Sequence, residues 1–387
     1  MLKSLFYVLL IMVFFDFFTD PILRTYGIGF PTGNRAIKLT ITFIFVILFI
    51  FGIKSAPKIK TLWIPFWLIF IAVYYGAMRG LFSNIPLNVF NDTSSFIALF
   101  LIFAIINFNV ENRKDDLNKI LKLSVYIILA KVIAYQLITA TLIGVPTWKL
   151  LVKQSPILLI PFSVYFADLL DSKRQYIIFF ITVSILIIAM ARMIFLSIIF
   201  ISVIQILRLR KLAAFSQVAV VFISITASFY LYLYTQAVDQ GSIFTHIYGG
   251  DVYKGGLDYR FVQLGVIMDR FINYPFLGVG MGYYTPGYLT YGEHAKPYLL
   301  ELDLLNFFSK IGIFFSTLYC LSYFFLYRLI QRVKDKDTKK LFISMFIGML
   351  SLLIYSLGQT LHQSYLYWIF YSIFYGYLIL EIKSQEK

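Results

Sequence analysis

The stretch "YIIFFITVSILIIAMARMIFLSIIFISVIQIL", residues 176–207, decides the fold because it holds a single charged residue, Arg192, at its midpoint. As one helix it would run for about 48 Å, whereas the hydrocarbon core of a bilayer is about 30 Å thick. Basic residues flank it at Lys173 and Arg208, and these flanks are expected on the same side of a membrane. The sequence therefore predicts two spanning helices that turn back at Arg192, with its guanidinium half-buried near the outer surface.

The composition of the whole chain agrees with a membrane protein. Of 387 residues, 60% are apolar and only 14% are charged, far from the usual soluble mixture. The net charge of +15 does not indicate nucleic-acid binding, because the basic residues fall in short loops between apolar runs. Three histidines and one cysteine are too few and too scattered for a zinc site, so neither a metal nor another cofactor is expected.

The apolar runs predict an all-α integral membrane protein with about twelve transmembrane helices. A spanning helix needs about 20 apolar residues, and fewer where its ends are anchored. Residues 1–234 would hold nine spans, residues 235–302 a long loop, and residues 303–387 three further spans. The twelve runs lie near 4–18, 37–53, 62–79, 94–109, 120–141, 155–171, 176–191, 193–207, 213–234, 303–327, 341–357 and 364–381.

The distribution of basic residues predicts the orientation. Most of the 34 lysines and arginines fall in alternate loops, which the positive-inside rule assigns to the cytoplasm. Both termini are then cytoplasmic, and residues 235–302 face outward. Connections of that length are usually functional or disordered, and a segment rich in Tyr, Phe, Leu and Ile is not typical of disorder.

Within the outward loop, "YRFVQLGVIMDRFINYPFLGVGMGYY" (residues 259–284) combines an amphipathic helix with a glycine-rich stop. Apolar residues recur at helical spacing over 257–273, which predicts a helix along the outer surface that Arg260 begins and Arg270 ends. The stretch 275–282 should stop that helix at its proline. Its three alternate glycines would let the backbone turn tightly and approach a neighbouring helix or a ligand.

The next span begins with polar residues at a depth in the membrane where a charged side chain is energetically unfavourable and by default indicates a functional site. Glu301 lies on one face of this helix, whereas Asp303, Asn306 and Lys310 share the opposite face. The trio has a structural interpretation, a polar ladder that locks this helix to a partner. Glu301 lacks such a partner in its own helix, although a carboxylate at a helix N-terminus is also favoured by the helix dipole.

Several arginines and an outward carboxylate fit chemistry on a lipid-linked diphosphate. Guanidinium groups bind phosphate oxygens bidentately, and a carboxylate can deprotonate an incoming hydroxyl. Two tyrosines that follow the glycines, Tyr283 and Tyr284, could stack on sugar rings, although an interfacial aromatic belt explains them equally well.

These motifs resemble the O-antigen polymerase and O-antigen ligase superfamily of bacterial glycosyltransferases. The resemblance rests on Arg192 in "MARMIFLSI", on Arg260 followed by "PFLGVGMG", and on a helix that reaches "KIG" at Gly312. In the ligase branch the last motif typically begins with His-Asn eleven residues before its glycine, and that histidine is the proposed catalytic residue. Here that position is Glu301, which favours the polymerase branch with a carboxylate as the base.

The resemblance implies a GT-C-like polytopic fold in the bacterial cytoplasmic membrane, with a metal-independent active site facing outward. Arg192 and Arg260 would hold the diphosphate with help from Arg270, and Glu301 would act as the base, with His294 as an alternative base or a solvent-facing loop residue. The implied partners are an undecaprenyl-diphosphate-linked oligosaccharide, membrane lipids and a chain-length regulator. A ligase that acts on lipid A core and a flippase for the same lipid-linked glycan are the alternatives.

Overall fold

The computed structural model describes residues 60–108, 112–143, 155–172, 175–188, 192–209, 254–283, 302–357 and 365–385, together with five isolated positions before residue 51. All of the regular structure in these ranges is helical. The helices are α1 (Lys60–Ser83, whose first turn is a 3-10 helix), α2 (Pro86–Ile105, with a 3-10 stretch at Ser94–Phe100), α3 (Arg113–Ile143), α4 (Leu159–Ser172), α5 (Tyr176–Ile188), α6 (Arg192–Leu209), α7 (Lys254–Asn273), α8 (Asp303–Gln331), α9 (Lys336–Ser356) and α10 (Tyr365–Gln385).

Five helices in the described ranges are long and apolar enough to cross a membrane: α1, α2, α8, α9 and α10. Two shorter apolar stretches, Tyr176–Leu186 and Met193–Leu209, lie in α5 and α6. Residues 189–191, between these two helices, lie outside the described residues, so the turn back at Arg192 stays a prediction. The predicted spans at 4–18, 37–53 and 213–234 lie outside the described residues apart from isolated positions, so the count of twelve spans stays a prediction.

Two predicted boundaries are wrong. The span predicted at 94–109 begins at Pro86 and ends at Ile105, because the proline occupies the first helical position, where its missing N–H leaves no bond unmade. Asp92 therefore lies inside a helix and not in a loop. The helix predicted at 257–273 begins at Lys254, so Arg260 lies in its second turn and does not begin it.

Small residues and serine hydroxyls bring the helices together. A Cβ on Gly348 of α9 would lie 2.7 Å from Ile160 Cα in α4, and a Cβ on Gly376 of α10 would lie 2.7 Å from Ile105 Cγ2 in α2. Ser163 of α4 donates its hydroxyl hydrogen to the Ser344 carbonyl oxygen of α9 at 2.7 Å. Such close backbone approaches and interhelical hydrogen bonds are typical of helix packing in membranes.

Ion pairs join several basic loops at one end of the bundle, which we call the basic end. Lys114 at the start of α3 contacts Asp337 at the start of α9 at 3.1 Å, and Lys340 of α9 contacts Asp171 at the end of α4 at 2.5 Å. These contacts place together loops that the charge distribution had assigned to one side. We call the opposite end, where α1 ends and α8 begins, the site end.

Candidate functional site

The site end is organised around a break in helix α8. Gly312 has φ 77° and ψ 170°, which no α-helix accommodates, so the backbone ladder stops there. The stretch 274–283, which we call the glycine segment, occupies the break. The N–H groups of Val279 and Gly280 donate to the carbonyl oxygens of Ser309 and Lys310 at 3.2 and 2.8 Å. In return, the N–H of Ile313 donates to the Pro275 carbonyl oxygen at 2.8 Å.

This exchange satisfies groups that a broken helix would otherwise leave without partners. An unpaired backbone group in the hydrocarbon region costs several kcal/mol, so irregular backbone is tolerated there only where protein covers it. Glycine is required on both sides of the contact. A Cβ on Gly278 (φ 64°) would lie 2.3 Å from the Lys310 carbonyl oxygen, and one on Gly312 would lie 2.3 Å from the Phe276 carbonyl oxygen. The close approach expected of the glycines in 275–282 is confirmed at Gly278, whereas the one at Gly312 was not predicted.

The other side of the glycine segment lies against α1. Met281 donates its N–H to the Gly76 carbonyl oxygen at 2.9 Å, and Asn84 donates its Nδ2 hydrogen to the Met281 carbonyl oxygen at 2.9 Å. Each N–H from Gly278 to Gly282 is used in these contacts, in the turn with Tyr274 or in a bond to a side chain of α2. The segment therefore acts as packing between α1 and α8 and not as an anion-binding loop of free N–H groups.

A buried ion pair fixes the end of the glycine segment to α2 and α8. Lys310 Nζ lies 2.7 Å from Asp92 Oδ2, and both side chains are 0% exposed. The same carboxylate oxygen accepts the N–H of Gly282 at 2.7 Å. The other oxygen of Asp92, Oδ1, is buried and meets no hydrogen-bond donor in the described part of the chain. Lys310 thus reaches a different helix, α2.

Arg270 completes the cluster from helix α7. Its Nη1 donates to Asn306 Oδ1 at 2.8 Å, its guanidinium carbon lies 4.8 Å from the centre of the Tyr283 ring, and only 4% of the residue is exposed. Burial lowers the pKa of Arg270 to about 10, while Tyr283 and Asp92 act in the opposite direction. The guanidinium therefore stays protonated at neutral pH. We call Asp92, Arg270, Tyr283, Asn306 and Lys310 the polar cluster.

The structure brings together some of the predicted site residues and leaves others outside the described part. Arg270 and Tyr283 are in contact, while their roles in a site stay predictions. Arg192 begins α6 and Arg260 lies in α7, but the placement of both side chains is outside what the structure describes. Three further predicted site residues lie wholly outside the described residues: Glu301, His294 and Tyr284.

Two charged residues of the site end were missed by the sequence reasoning. Asp92 lies just before the span predicted near 94–109, although Pro86 is a usual signal for a helix start and indicates a helix that includes Asp92. Arg79 lies at the end of the span predicted near 62–79. Its Nε donates to the Gly278 carbonyl oxygen at 2.6 Å, so it contacts the glycine segment. Of the predicted face of Asp303, Asn306 and Lys310, Asn306 contacts α7 and Lys310 contacts α2.

The comparisons with known proteins do not identify this arrangement. No family model matches the sequence, no curated protein is significantly similar to it, and no solved structure matches its fold. Membership of the O-antigen polymerase and ligase superfamily therefore stays a prediction from the sequence motifs.

Proposed function

We propose that this protein is a polysaccharide polymerase, which transfers a growing glycan from undecaprenyl diphosphate to a lipid-linked repeat unit. The observation that carries the proposal is the contact between Arg270 and Tyr283. The sequence assigned them separately to a diphosphate and to sugar rings, and they lie together in a buried polar cluster at one end of an apolar helical bundle.

The reaction requires little covalent chemistry from the protein. The acceptor hydroxyl attacks the anomeric carbon of the donor glycan, and the bond from that carbon to the diphosphate oxygen breaks. The lipid diphosphate leaves with the electron pair of that bond on its oxygen. Arg192 and Arg260 neutralise the charge on the leaving group, and Glu301 takes the proton of the acceptor hydroxyl. Arg270 is covered by Tyr283, so it supports this charge stabilisation from a buried position.

One structural feature favours a second candidate, a flippase for the same lipid-linked glycan. Interrupted helices are typical of transporters, and the break in α8 at Gly312 was not expected from the sequence. In transporters, however, the groups released by the break usually coordinate substrate or ions. Here the carbonyl oxygens of Ser309 and Lys310 accept hydrogen bonds from the chain itself, so polymerisation stays the preferred function.

An assay with purified protein separates these functions. Vesicles that contain the protein are incubated with lipid-linked repeat units isolated from the cell that encodes it, with no lipid A core present. A polymerase produces a ladder of longer lipid-linked glycans. A ligase yields product only after lipid A core is added, and a flippase moves the repeat unit across the vesicle without lengthening it; either result contradicts the proposal.

The assignment of the base is tested by Glu301→Gln. Loss of a general base should slow polymerisation about 100-fold or more, since that is the usual contribution of such a group. His294→Gln tests the alternative base in the same assay. Glu381→Gln is the matched control, because Glu381 lies at the basic end, 3.7 Å from Arg113. Long chains from Glu301→Gln at the wild-type rate would show that Glu301 is not the base.

A further inference from the structure

Arg79 lies near the end of the apolar helix α1, and its guanidinium is held in place by the glycine segment. Its Nε donates to the Gly278 carbonyl oxygen at 2.6 Å, and its guanidinium carbon lies 6.0 Å from the centre of the Tyr274 ring. The residue is half-buried. One hydrogen bond at Nε and one ring near the guanidinium limit its rotation, so the group is oriented before any ligand arrives.

Among the described residues, Arg79 meets an acceptor at Nε alone. A guanidinium carries five N–H donors, four of them on the two terminal nitrogens. Within the part of the chain that the structure describes, the terminal nitrogens meet no acceptor, and no carboxylate lies within 4.0 Å. The other buried cations of the site end differ in this respect, because Lys310 pairs with Asp92 and Arg270 donates to Asn306. Arg79 therefore offers a fork of donors that suits a phosphate.

The surface around Arg79 is apolar and open. Phe82, three residues further along α1, is 84% exposed, and Phe276 of the glycine segment is 71% exposed. Tyr274 and Leu277 are also exposed beside it. Exposed aromatic and aliphatic side chains at the end of a membrane-spanning helix contact the boundary between lipid tails and head groups. A cation in such a setting meets the head of an amphiphile and the start of its tail.

We propose that Arg79 binds the phosphate of a membrane amphiphile whose tail lies against Phe82 and Phe276. This site lies outside the polar cluster: with a phospholipid it goes beyond the proposed function, and with a polyprenyl diphosphate it rests on that function. The phosphate can belong to a phospholipid head group or to a polyprenyl diphosphate, and the recognition chemistry is the same for both. The competing explanation is an arginine that extends to water without a ligand.

Native mass spectrometry of the detergent-solubilised protein tests the site. The wild-type protein is titrated separately with phosphatidylglycerol, with undecaprenyl diphosphate and with diacylglycerol, which has the tails but no phosphate. Arg79→Gln should weaken binding of at least one phosphate lipid about 10-fold or more, as expected for the loss of charge-assisted hydrogen bonds. Arg79→Lys should fall between, because lysine keeps the charge and loses the fork.

The matched control is Arg328→Gln. Arg328 is an exposed arginine of α8 whose guanidinium lies 5.1 Å from the Phe324 ring, so it has the same kind of ring contact without the backbone anchor. Binding that Arg328→Gln weakens as much as Arg79→Gln would overturn the proposal, and so would unchanged binding by Arg79→Gln.

The lipid that responds identifies the source of the phosphate. Weakening for phosphatidylglycerol alone assigns a phospholipid, weakening for undecaprenyl diphosphate alone assigns the isoprenoid, and weakening for both assigns a shared site. If Arg79→Gln does not fold, the wild-type titration still decides, because diacylglycerol that binds as tightly as phosphatidylglycerol removes the role of the phosphate.

Discussion

The ion pair between Asp92 and Lys310 gives the sharpest test of the structure, because both side chains are fully buried. Removal of one partner from a buried pair leaves an uncompensated charge, which typically costs about 3–5 kcal/mol. Asp92→Asn keeps an oxygen for the N–H of Gly282 but leaves Lys310 charged. Lys310→Met removes the cation but leaves Asp92 charged. We expect each single change to lower the free energy of unfolding by about 3 kcal/mol.

The double variant Asp92→Asn with Lys310→Met should be more stable than the sum of the single effects predicts. It removes both charges of the pair, so neither is left without its partner, the two costs are not additive and the coupling energy should reach about 2 kcal/mol or more. The free energies are measured by reversible unfolding in mixed micelles, with helical circular dichroism as the signal.

The matched control is the pair between Lys114 and Asp337 at the basic end. Its N–O distance of 3.1 Å is similar, but the side chains are 39% and 77% exposed. Its double-mutant cycle should give less than about 1 kcal/mol. A coupling energy for Asp92 and Lys310 below about 0.6 kcal/mol, the average for neutral hydrogen bonds in a membrane protein, would refute the argument from burial.

Three further changes test other parts of the structure. Gly312→Ala should destabilise the protein by more than about 2 kcal/mol, because Gly312 has a positive φ and its Cβ would lie 2.3 Å from a carbonyl oxygen. Gly265→Ala in α7 is the control and should stabilise by about 1 kcal/mol, because a Cβ there would meet nothing within 4 Å. Equal effects of the two changes in thermal unfolding would contradict the break in α8. Tyr283→Ala should lower the free energy of unfolding by about 1–2 kcal/mol, because it removes the ring contact with Arg270, whereas Tyr283→Phe should retain most of this stabilisation. An equal loss in both variants would indicate that the hydroxyl stabilises the protein and not the ring. Asp335 accepts the Thr338 N–H at 2.8 Å as the cap of α9, and hydrogen bonds from the Thr338 side chain and from this N–H lower the pKa of Asp335. Asp335→Ala should therefore cost about 1 kcal/mol above the unfolded pKa of the carboxyl group, and the difference from the wild type should shrink as the pH falls through the lower folded pKa; a difference that grows in acid would exclude the cap.

The sequence predicts the helices well where hydrophobicity alone determines them. The turn at Arg192 rests on a length limit, because a helix of 32 residues is longer than a bilayer is thick, and it stays a prediction. The stop after Asn273 followed from Pro275 and from glycines that permit positive φ, and the structure has both features. The helix end after Asn273 was predictable because it depends on local chemistry alone.

The contacts of the site could not be predicted in the same way. The partners of Lys310 and of the Gly278 carbonyl oxygen, Asp92 and Arg79, are separated from them by about two hundred residues of chain. No periodicity carries information about such pairs. The break at Gly312 was also hidden, because "KIGIFF" reads as ordinary helix and the strain becomes visible only when the glycine segment supplies the missing bonds.

The exchange of hydrogen bonds at Gly312 has a consequence for biogenesis. When α8 first enters the bilayer, the carbonyl oxygens of Ser309 and Lys310 face either an unbroken helix or lipid, since the glycine segment reaches its final position only with α1 beside it. We expect α8 to insert as a continuous helix and to kink later, during assembly with the first spans. Folding of this end of the protein would then be a late step, because it requires contact between α1 and the glycine segment, which are synthesised at different times.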